Sequence, residues 1–528
     1  MTIEQLLKKI SDSDLKNPTV MLLLEIIRKQ SEEIQLLNDE IARLKGNKPK
    51  PQIKPSTIEK PLHPEPPNKE KPARKKREVS KTKNLEISEE QILRADNVPD
   101  GSIFKGYEDY FVQELIISPC NIKFRRERWL TPEGKTIIAK LPKDIVGFHY
   151  GPILRSHIMH QHFGCCVTQN QIVEQLREIG TDISAATVNN ILIFGHDNFH
   201  QEKDDILTTG LRVSPYINVD DTGARHQGKN AYCTHIGSPF FAWFKTTFSK
   251  SRINFLTLLR ASFKDYILNE HAMAYAAVQK LPKAMLVVLE DHQGTNFESE
   301  SDFNEFLKKI NIKTKRHRRI ATEAALIGSI TDHGFNPGMA IISDDAGQFD
   351  VFLHALCWIH AERSINKLSG LSAEHDIILD MVKTEIWDFY DELKAYKKNP
   401  GKEDKIRLSA RFDDIFNQKT EYASLNLALK RLAANKMELL LVLKRPDIPL
   451  HNNLSENDIR EYVKRRLISG TTRSDLGLQC RDTFLSLKKT CRKLGISFWD
   501  FLVDRNTKRM DIQPLPFQIA NAVANYYT

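Results

Sequence analysis

Apolar side chains recur at heptad spacing near the N-terminus. Val20, Ile27, Ile34 and Ile41 fall on one position of the repeat, and Leu23, Gln30, Leu37 and Leu44 on the position three further on. β-Branched residues at the first position with Leu at the second favour a parallel two-stranded coil, and a polar residue such as Gln30 helps fix its register. An amphipathic helix packed on its own chain would show the same pattern. Residues 1–45 are therefore read as a dimerisation coil, with that helix as the alternative. Farther on, the period shortens. Alternating runs at 110–117 and 122–129, then a Pro132-Glu133-Gly134 turn before Lys135–Ile138, predict a small antiparallel β unit within 89–145. Over 150–205 the period becomes helical. Ile172, Leu176 and Ile179 share one side of a stretch from Gln169, Gly180 supplies a turn, and Ser184 is placed to cap a second helix over Ala185–Phe194. Such a pair suits a reader of the DNA major groove, and an ordinary helical hairpin looks the same.

Three later segments combine apolar runs with acids. Tyr216–Val219 is a short β-prone run ending in Asp220 and Asp221, and Met339–Ser343 ends in Asp344 and Asp345. In the third segment Ser455 can cap a helix that carries Glu456 in its first turn and Arg460 one turn later. Between them, Ala231–Lys245 and Arg252–Leu259 are strand-like, while Ile377–Tyr396, Lys402–Gln418 and Leu425–Leu443 are helical. Acids at the ends of two strands plus one on a helix can converge on one face of a mixed sheet. Three hard oxygen donors suit Mg2+, and a pair of such ions serves phosphodiester chemistry.

Composition narrows the choices. At 528 residues the chain exceeds one domain, and 41% hydrophobic with 27% charged residues excludes a wholly disordered protein. No run of 18 uncharged apolar residues occurs, and the first dozen residues carry acids without an apolar core. Neither a membrane-spanning helix nor a signal peptide is expected. The seven cysteines are irregularly spaced with no Cys-x-x-Cys pair, so no disulfide framework or cysteine zinc site is expected. The net charge of +9 resides in residues 45–83 alone, and residues 46–88 hold 8 of the 23 prolines. That composition predicts an extended linker, serving as a solvated spacer or laying Arg74–Arg77 along phosphates. Two further basic groups, Arg316, Arg318 and Arg319, then Lys464, Arg465 and Arg466, are candidate DNA contacts, with a solvated surface as the alternative.

The motifs Val219-Asp220-Asp221-Thr222, Ser343-Asp344-Asp345-Ala346, Cys357-Trp358-Ile359-His360-Ala361-Glu362-Arg363 and Asn452-Asn453-Leu454-Ser455-Glu456, leading to Arg460, resemble transposases of the insertion-sequence-66 type. These are Asp-Asp-Glu enzymes with a ribonuclease-H-like core. The family pattern usually reads Asp-Glu-Thr at the first motif, where this chain has Asp220-Asp221-Thr222. The resemblance implies an α/β multidomain protein with a ribonuclease-H-like mixed-sheet catalytic core over 211–505. A helical insertion at about 365–445 accounts for the 112 residues between Asp344 and Glu456. Ahead of the core come the N-terminal coiled coil, the β unit and the helix-turn-helix; a tail, 506–528, follows it.

The resemblance further implies that Asp220, Asp344 and Glu456 are the catalytic acids and hold two Mg2+ ions, for which Mn2+ could substitute. Asp221, Asp345, His360, Arg363 and Arg460 are auxiliary candidates. His360 is read alternatively as a core histidine, and Trp358 either stacks an unpaired base or packs in the core. Family members often carry a cysteine zinc module ahead of the helix-turn-helix. Here that region holds only Cys120, and no zinc is expected. The implied activity is cleavage at the ends of an insertion sequence, followed by joining of the freed 3′-hydroxyl to target DNA. Implied partners are double-stranded DNA (terminal inverted repeats and target), a second copy in a dimer or larger synaptic complex, and accessory proteins encoded by the same element; no membrane is implied. The expected location is cytoplasmic and nucleoid-associated. The alternatives are a non-catalytic DNA-binding protein derived from a transposase, and a structure-selective nuclease of the same fold.

Overall fold

The computed structural model describes residues 86–527 apart from 97, 98, 146, 337 and 371, together with residue 30. Apart from residue 30, the predicted coil and the linker up to residue 85 lie outside the described residues.

Residues 86–140 are exposed almost throughout and contain one hairpin, β1 (Arg128–Leu130) against β2 (Thr136–Ile138). The Pro132-Glu133-Gly134 turn closes it as expected, with Gly134 at φ +77°, a conformation that a side chain would strain. The run 110–117 alternates but is not a strand. Alternation marks a strand only where a neighbouring ladder receives its N–H and C=O groups, and none of the described residues forms one beside it.

Helices α1 (Pro152–Met159), α2 (Gln169–Glu178), α3 (Ala185–Ile193) and α4 (Asp197–Val213) follow. Thr168 and Gln171 form a capping box on α2, and the Ser184 hydroxyl accepts from Thr187 N at 3.1 Å to start α3. Ile172 and Leu176 of α2 and Val188 and Leu192 of α3 are buried in one core.

A five-stranded mixed sheet forms the centre. β3 (Tyr216–His226), β4 (Lys229–Gly237) and β5 (Ala242–Thr247) are an antiparallel meander. The chain then leaves the sheet through α5 (Arg252–Leu259), β6 (Tyr266–Ile267), α6 (Glu270–Val278), α7 (Lys283–Glu290), β7 (Asn296–Phe297), α8 (Glu300–Lys309) and α9 (Lys315–Asp332). It returns as β8 (Ala340–Ser343) and β9 (Leu353–Leu356), both parallel to β3, giving the order β5-β4-β3-β8-β9. Arg252–Leu259, strand-like by composition, is the helix α5. The Ser251 hydroxyl caps it by accepting from Asn254 N at 3.2 Å, and capping prevails over β propensity in so short a run.

After β9 come α10 (Trp358–Asn366), α11 (Ala373–Lys398), α12 (Lys402–Phe416), α13 (Ala423–Ala434) and the short α14 (Lys436–Leu439). Then follow α15 (Asn453–Ser469), α16 (Asp475–Lys493), α17 (Phe498–Thr507) and α18 (Leu515–Tyr527). The residues expected to be a tail thus include α18. Its Leu515 and Ile519 are fully buried, and Leu515 N donates to Glu202 Oε1 of α4 at 3.0 Å.

Alternation along the strands divides the packing. Ile217, Val219 and Ile341 point into a core shared with α4, α5 and α9. On the opposite face, Ala340, Ile342 and Ala355 meet α11–α13, while Ala224, Cys233 and Phe244 meet Ile459 and Tyr462 of α15.

Candidate active site

The strand register aligns the first two acids. β3 and β8 pair in parallel with Asn218 opposite Ile342. Two residues further along each strand stand Asp220 and Asp344, level with each other and on the same face. Asp344 follows the last residue of β8, as expected. Asp220 does not end its strand, because β3 continues to His226 with β4 paired alongside.

That face is the one α15 covers, and a set of buried polar contacts fixes the helix there. The Asn452 side chain accepts from Asn218 Nδ2 and donates to Val219 O, both at 2.8 Å. His235, opposite Asp220 in the β3–β4 register, lies 2.6 Å from Ser455 Oγ through Nδ1 and 3.1 Å from Asp458 Oδ2 through Nε2. Lys489 and Lys493 of α16 each approach Asp458 to 3.0 Å. These contacts flank Glu456 on both sides and set it in the first turn of α15 over the two aspartates.

Burial and neighbouring charges shape the electrostatics of the acids. Burial pushes the Asp220 carboxyl well above the usual carboxylate range, and Asp344, Asp221 and Glu456 add to the rise. Burial likewise raises Asp344, against the pull of His360. Glu456 Oε1 faces Arg363 Nη1 at 3.3 Å and His360 Nε2 at 3.6 Å, both on α10, and Arg460 stands 3.9 Å from Oε2. Burial holds the His360 imidazole below its ordinary value, although Asp344 and Glu456 pull it upward. Among the described residues no three or more His, Cys, Asp or Glu side chains are grouped as a ready ligand set.

The auxiliary candidates separate. His360 and Arg363 join the acids. Asp221 points away from Asp220, as alternation requires. It accepts from Thr234 Oγ1 at 2.5 Å and from Gln348 Nε2 at 3.0 Å. Asp345 is exposed and lies 3.5 Å from Asn435 Nδ2. Trp358 is buried among Phe389, Phe412 and Phe416, and its indole N–H donates to Leu439 O at 2.9 Å, so it packs and has no face free for a base.

The basic candidates also separate. Lys464 and Arg316 are exposed. Arg318 donates to Asn304 Oδ1 at 2.8 Å, and Arg319 pairs with the buried Glu323 at 3.3 Å. Arg466 donates to Gly223 O. Arg465 is buried, and its guanidinium donates to His162 O at 2.6 Å, tying α15 to the turn between α1 and α2. A phosphate has no access to it, so Arg465 is removed from the DNA-contact candidates. Lys488 and Lys489 of α16 are buried in the α15–α16 contact against Glu461 and Asp458.

Sequence reasoning missed His235, Asp458 and Asn452. Asn452 lay inside a quoted motif. His235 and Asp458 stand on separate elements, and nothing in their local sequence pairs them.

Fold and site together define an α/β protein whose central mixed sheet presents acids from two adjacent parallel strands beneath a helix that carries a third. Residues 340–480, which include Asp344, the Cys357–Arg363 motif and Glu456, match the family model described as Transposase IS66 family. An uncharacterized protein of Sinorhizobium fredii, y4jO, is 45% identical over 302 residues, which are 57% of this chain and 94% of that protein. The chain belongs to the IS66 transposase family. Among the described residues no helix is long and apolar enough to cross a membrane.

Proposed function

We propose that this chain is an Asp-Asp-Glu transposase on a ribonuclease-H-like core. It cleaves DNA at the ends of an insertion sequence and joins the freed 3′-hydroxyl to target DNA. One observation carries the reading: Asp220 and Asp344 stand level on adjacent parallel strands, under the helix turn that bears Glu456. The order β5-β4-β3-β8-β9, with an antiparallel meander beside two parallel strands, supports the ribonuclease-H-like assignment.

The donor set fits a divalent cation. Mg2+ binds through one or two carboxylates and keeps several waters, so it does not require a preassembled cage. Burial first, and the neighbouring acids after it, disfavour the charged Asp220 carboxylate, and a bound cation would offset that cost. Asp220 and Asp344 would hold it, with Glu456 as the third donor. When bound, it supplies charge stabilisation to the oxygens of the phosphodiester.

The chain's own residues do the rest. Asn452, Ser455 and Asp458 orient α15, and Arg363 and His360 hold the Glu456 carboxylate. Lys464 and Arg316 are free to meet phosphates, and the α2–α3 pair holds the terminal repeats. Binding of both ends requires at least two copies, and the expected place of action is the nucleoid.

The test is cleavage of labelled DNA bearing the element's own ends, with Mg2+ and with EDTA, for the wild type and Glu456→Gln. The expected result is metal-dependent nicking at the boundary, followed by joined products, both lost in the variant. Nicking without joining would favour a nuclease. Binding without cleavage, with the element's accessory proteins supplied, would favour a non-catalytic DNA-binding protein.

A further inference from the structure

Residues 86–140 carry an unusual surface. Among the described residues, 18 of the 34 exposed large apolar side chains lie in this stretch, including Phe104, Tyr107, Tyr110, Phe111, Phe124 and Trp129. Isolated exposed apolar residues are ordinary, but so many within one 55-residue stretch suit an interaction surface. At roughly 150–250 Å² per aromatic side chain, those six, 44–90% exposed, offer on the order of 600–950 Å², comparable with the area of about 800 Å² that each partner contributes to a standard protein–protein interface.

Charge identifies the occupant. Residues 86–117 hold two basic and eight acidic side chains, net −6, whereas 118–140 hold six basic and two acidic, net +4. The arm as a whole is slightly acidic, which disfavours a nucleic-acid partner. An acidic half followed by a basic half is self-complementary, the property that a two-fold interface between identical chains requires.

We propose that residues 86–140 form an arm that pairs with the same arm of a second copy of this chain, antiparallel, acidic half against basic half. Among the described residues no strand pairs with the outer edge of β1 or with the alternating run 110–117, so that edge can receive the partner's 110–117. The hairpin β1–β2 alone is a marginal two-stranded sheet, and the partner's strand makes it three-stranded. A register centred between residues 119 and 120 sets Glu114 opposite Arg125, Tyr110 opposite Trp129 and Ile117 opposite Ile122. Each is a favourable cross-strand pair. Pro119 sits at that centre, where a side chain added at Gly180 would meet its Cγ at 3.6 Å, so the midpoint of the arm rests on the α2–α3 turn. The inference is independent of the catalytic reading.

Cys120 is exposed and falls beside the proposed two-fold axis. In the full chain carrying Cys165→Ser, Cys120 is the one remaining exposed thiol among the described residues. A short bismaleimide is expected to link two copies through Cys120, read as the cross-linked peptide by mass spectrometry. Reversing the acidic half with Glu108→Lys, Asp109→Lys and Glu114→Lys should lower the yield at least tenfold. Adding Lys123→Glu, Arg125→Glu and Arg128→Glu to the same chain should restore it, which excludes misfolding as the cause of the loss. A yield unaffected by the first reversal would overturn the proposal, since proximity would then come from elsewhere in the chain. So would a chain that sediments as a dimer without forming the link, or a link formed only when DNA is added.

Discussion

Asp458→Asn tests whether the polar network under α15 is what holds Glu456 in place. The Asp458 side chain is 6% exposed and is the shared partner of Lys489 and Lys493, each at 3.0 Å, and of His235 at 3.1 Å. At an effective dielectric constant near 20, each lysine contact is worth about 5 kcal/mol gross, most of it offset by the cost of desolvating the charges. Removing the carboxylate strands two lysines whose side chains are 10% and 13% exposed. Breaking a buried pair in this way costs about 3–5 kcal/mol. With a urea slope of about 3 kcal/mol/M, the unfolding midpoint should fall by roughly 1 M or more. The pH dependence gives the sign. Burial alone would raise the Asp458 carboxyl, but His235 and the two lysines outweigh it and hold the group far below the usual carboxylate range. The stability it contributes is present above the unfolded-state carboxylate value and is lost as pH falls through the depressed folded value. The gap between wild type and variant should therefore close in acid. Urea unfolding followed by fluorescence at several pH values measures both. A loss below about 1 kcal/mol at neutral pH, or a gap that persists undiminished in acid, would refute the electrostatic account. Asp475→Asn is the control, because its carboxylate is 87% exposed beside His226 and exposed pairs contribute about 0–1 kcal/mol.

The acid cluster should behave in the opposite sense. Asp220→Asn removes a charge that burial and neighbouring acids disfavour, and in EDTA at neutral pH it should stabilise the protein by about 0.5–2 kcal/mol. Because the folded value is raised, the wild type loses stability as pH climbs from the ordinary carboxylate range toward it. Urea midpoints should therefore converge at low pH, and a destabilised variant in EDTA would contradict the reading. Lys464→Ala and Arg465→Ala, adjacent in sequence, should part company. Lys464→Ala should reduce the slope of log K against log salt for DNA binding by about 1 with stability changed by less than about 0.5 kcal/mol. Arg465→Ala should leave the slope alone and cost about 1.5–3 kcal/mol through its lost charge-assisted hydrogen bonds to His162. Filter binding across a salt series and urea unfolding read the two effects, and an unchanged slope for Lys464→Ala would remove it from the DNA path.

What could be read from the sequence follows from the range of the interactions involved. Caps and turns act over three or four residues, so Ser184 starting α3 and Gly134 closing the hairpin were legible. The acids of β3 and β8 were legible because each follows a short apolar run. Their alignment was not, since it depends on a parallel register set across more than a hundred residues. The basic runs misled for the same reason. Composition counts Arg465 as surface charge, yet it is drawn inward by His162 on another element, just as Lys488 and Lys489 are held by Glu461 and Asp458. The run 110–117 shows the limit of periodicity, because alternation states a capacity to pair without naming the neighbour.

The long gap between Asp344 and Glu456 illustrates how the fold makes sequence distance irrelevant to the site. The insertion α11–α14 is not an appendage, since its Leu379, Phe389, Phe412 and Leu425 share one core with Ala340 and Ile342 of β8 and Ala355 of β9. Both ends of the excursion are clasped at one point. Trp358, which begins α10, donates its backbone N–H to Leu450 O at 2.9 Å, and Asn452 N donates to Cys357 Sγ at 3.1 Å. The Trp358 indole adds a bond to Leu439 O. The chain therefore leaves the sheet and re-enters it within hydrogen-bonding distance, whatever length lies between. Loop-closure entropy rises only slowly with that length, about 0.6 kcal/mol per doubling, so a helical subdomain can occupy the gap at little cost once its own core is formed. Asn452 then transfers the clasp to β3 through Asn218 and Val219, and Glu456 follows one turn later. The same clasp brings α10 under α15, which is why His360 and Arg363, rather than any residue near Glu456 in sequence apart from Arg460, meet its carboxylate.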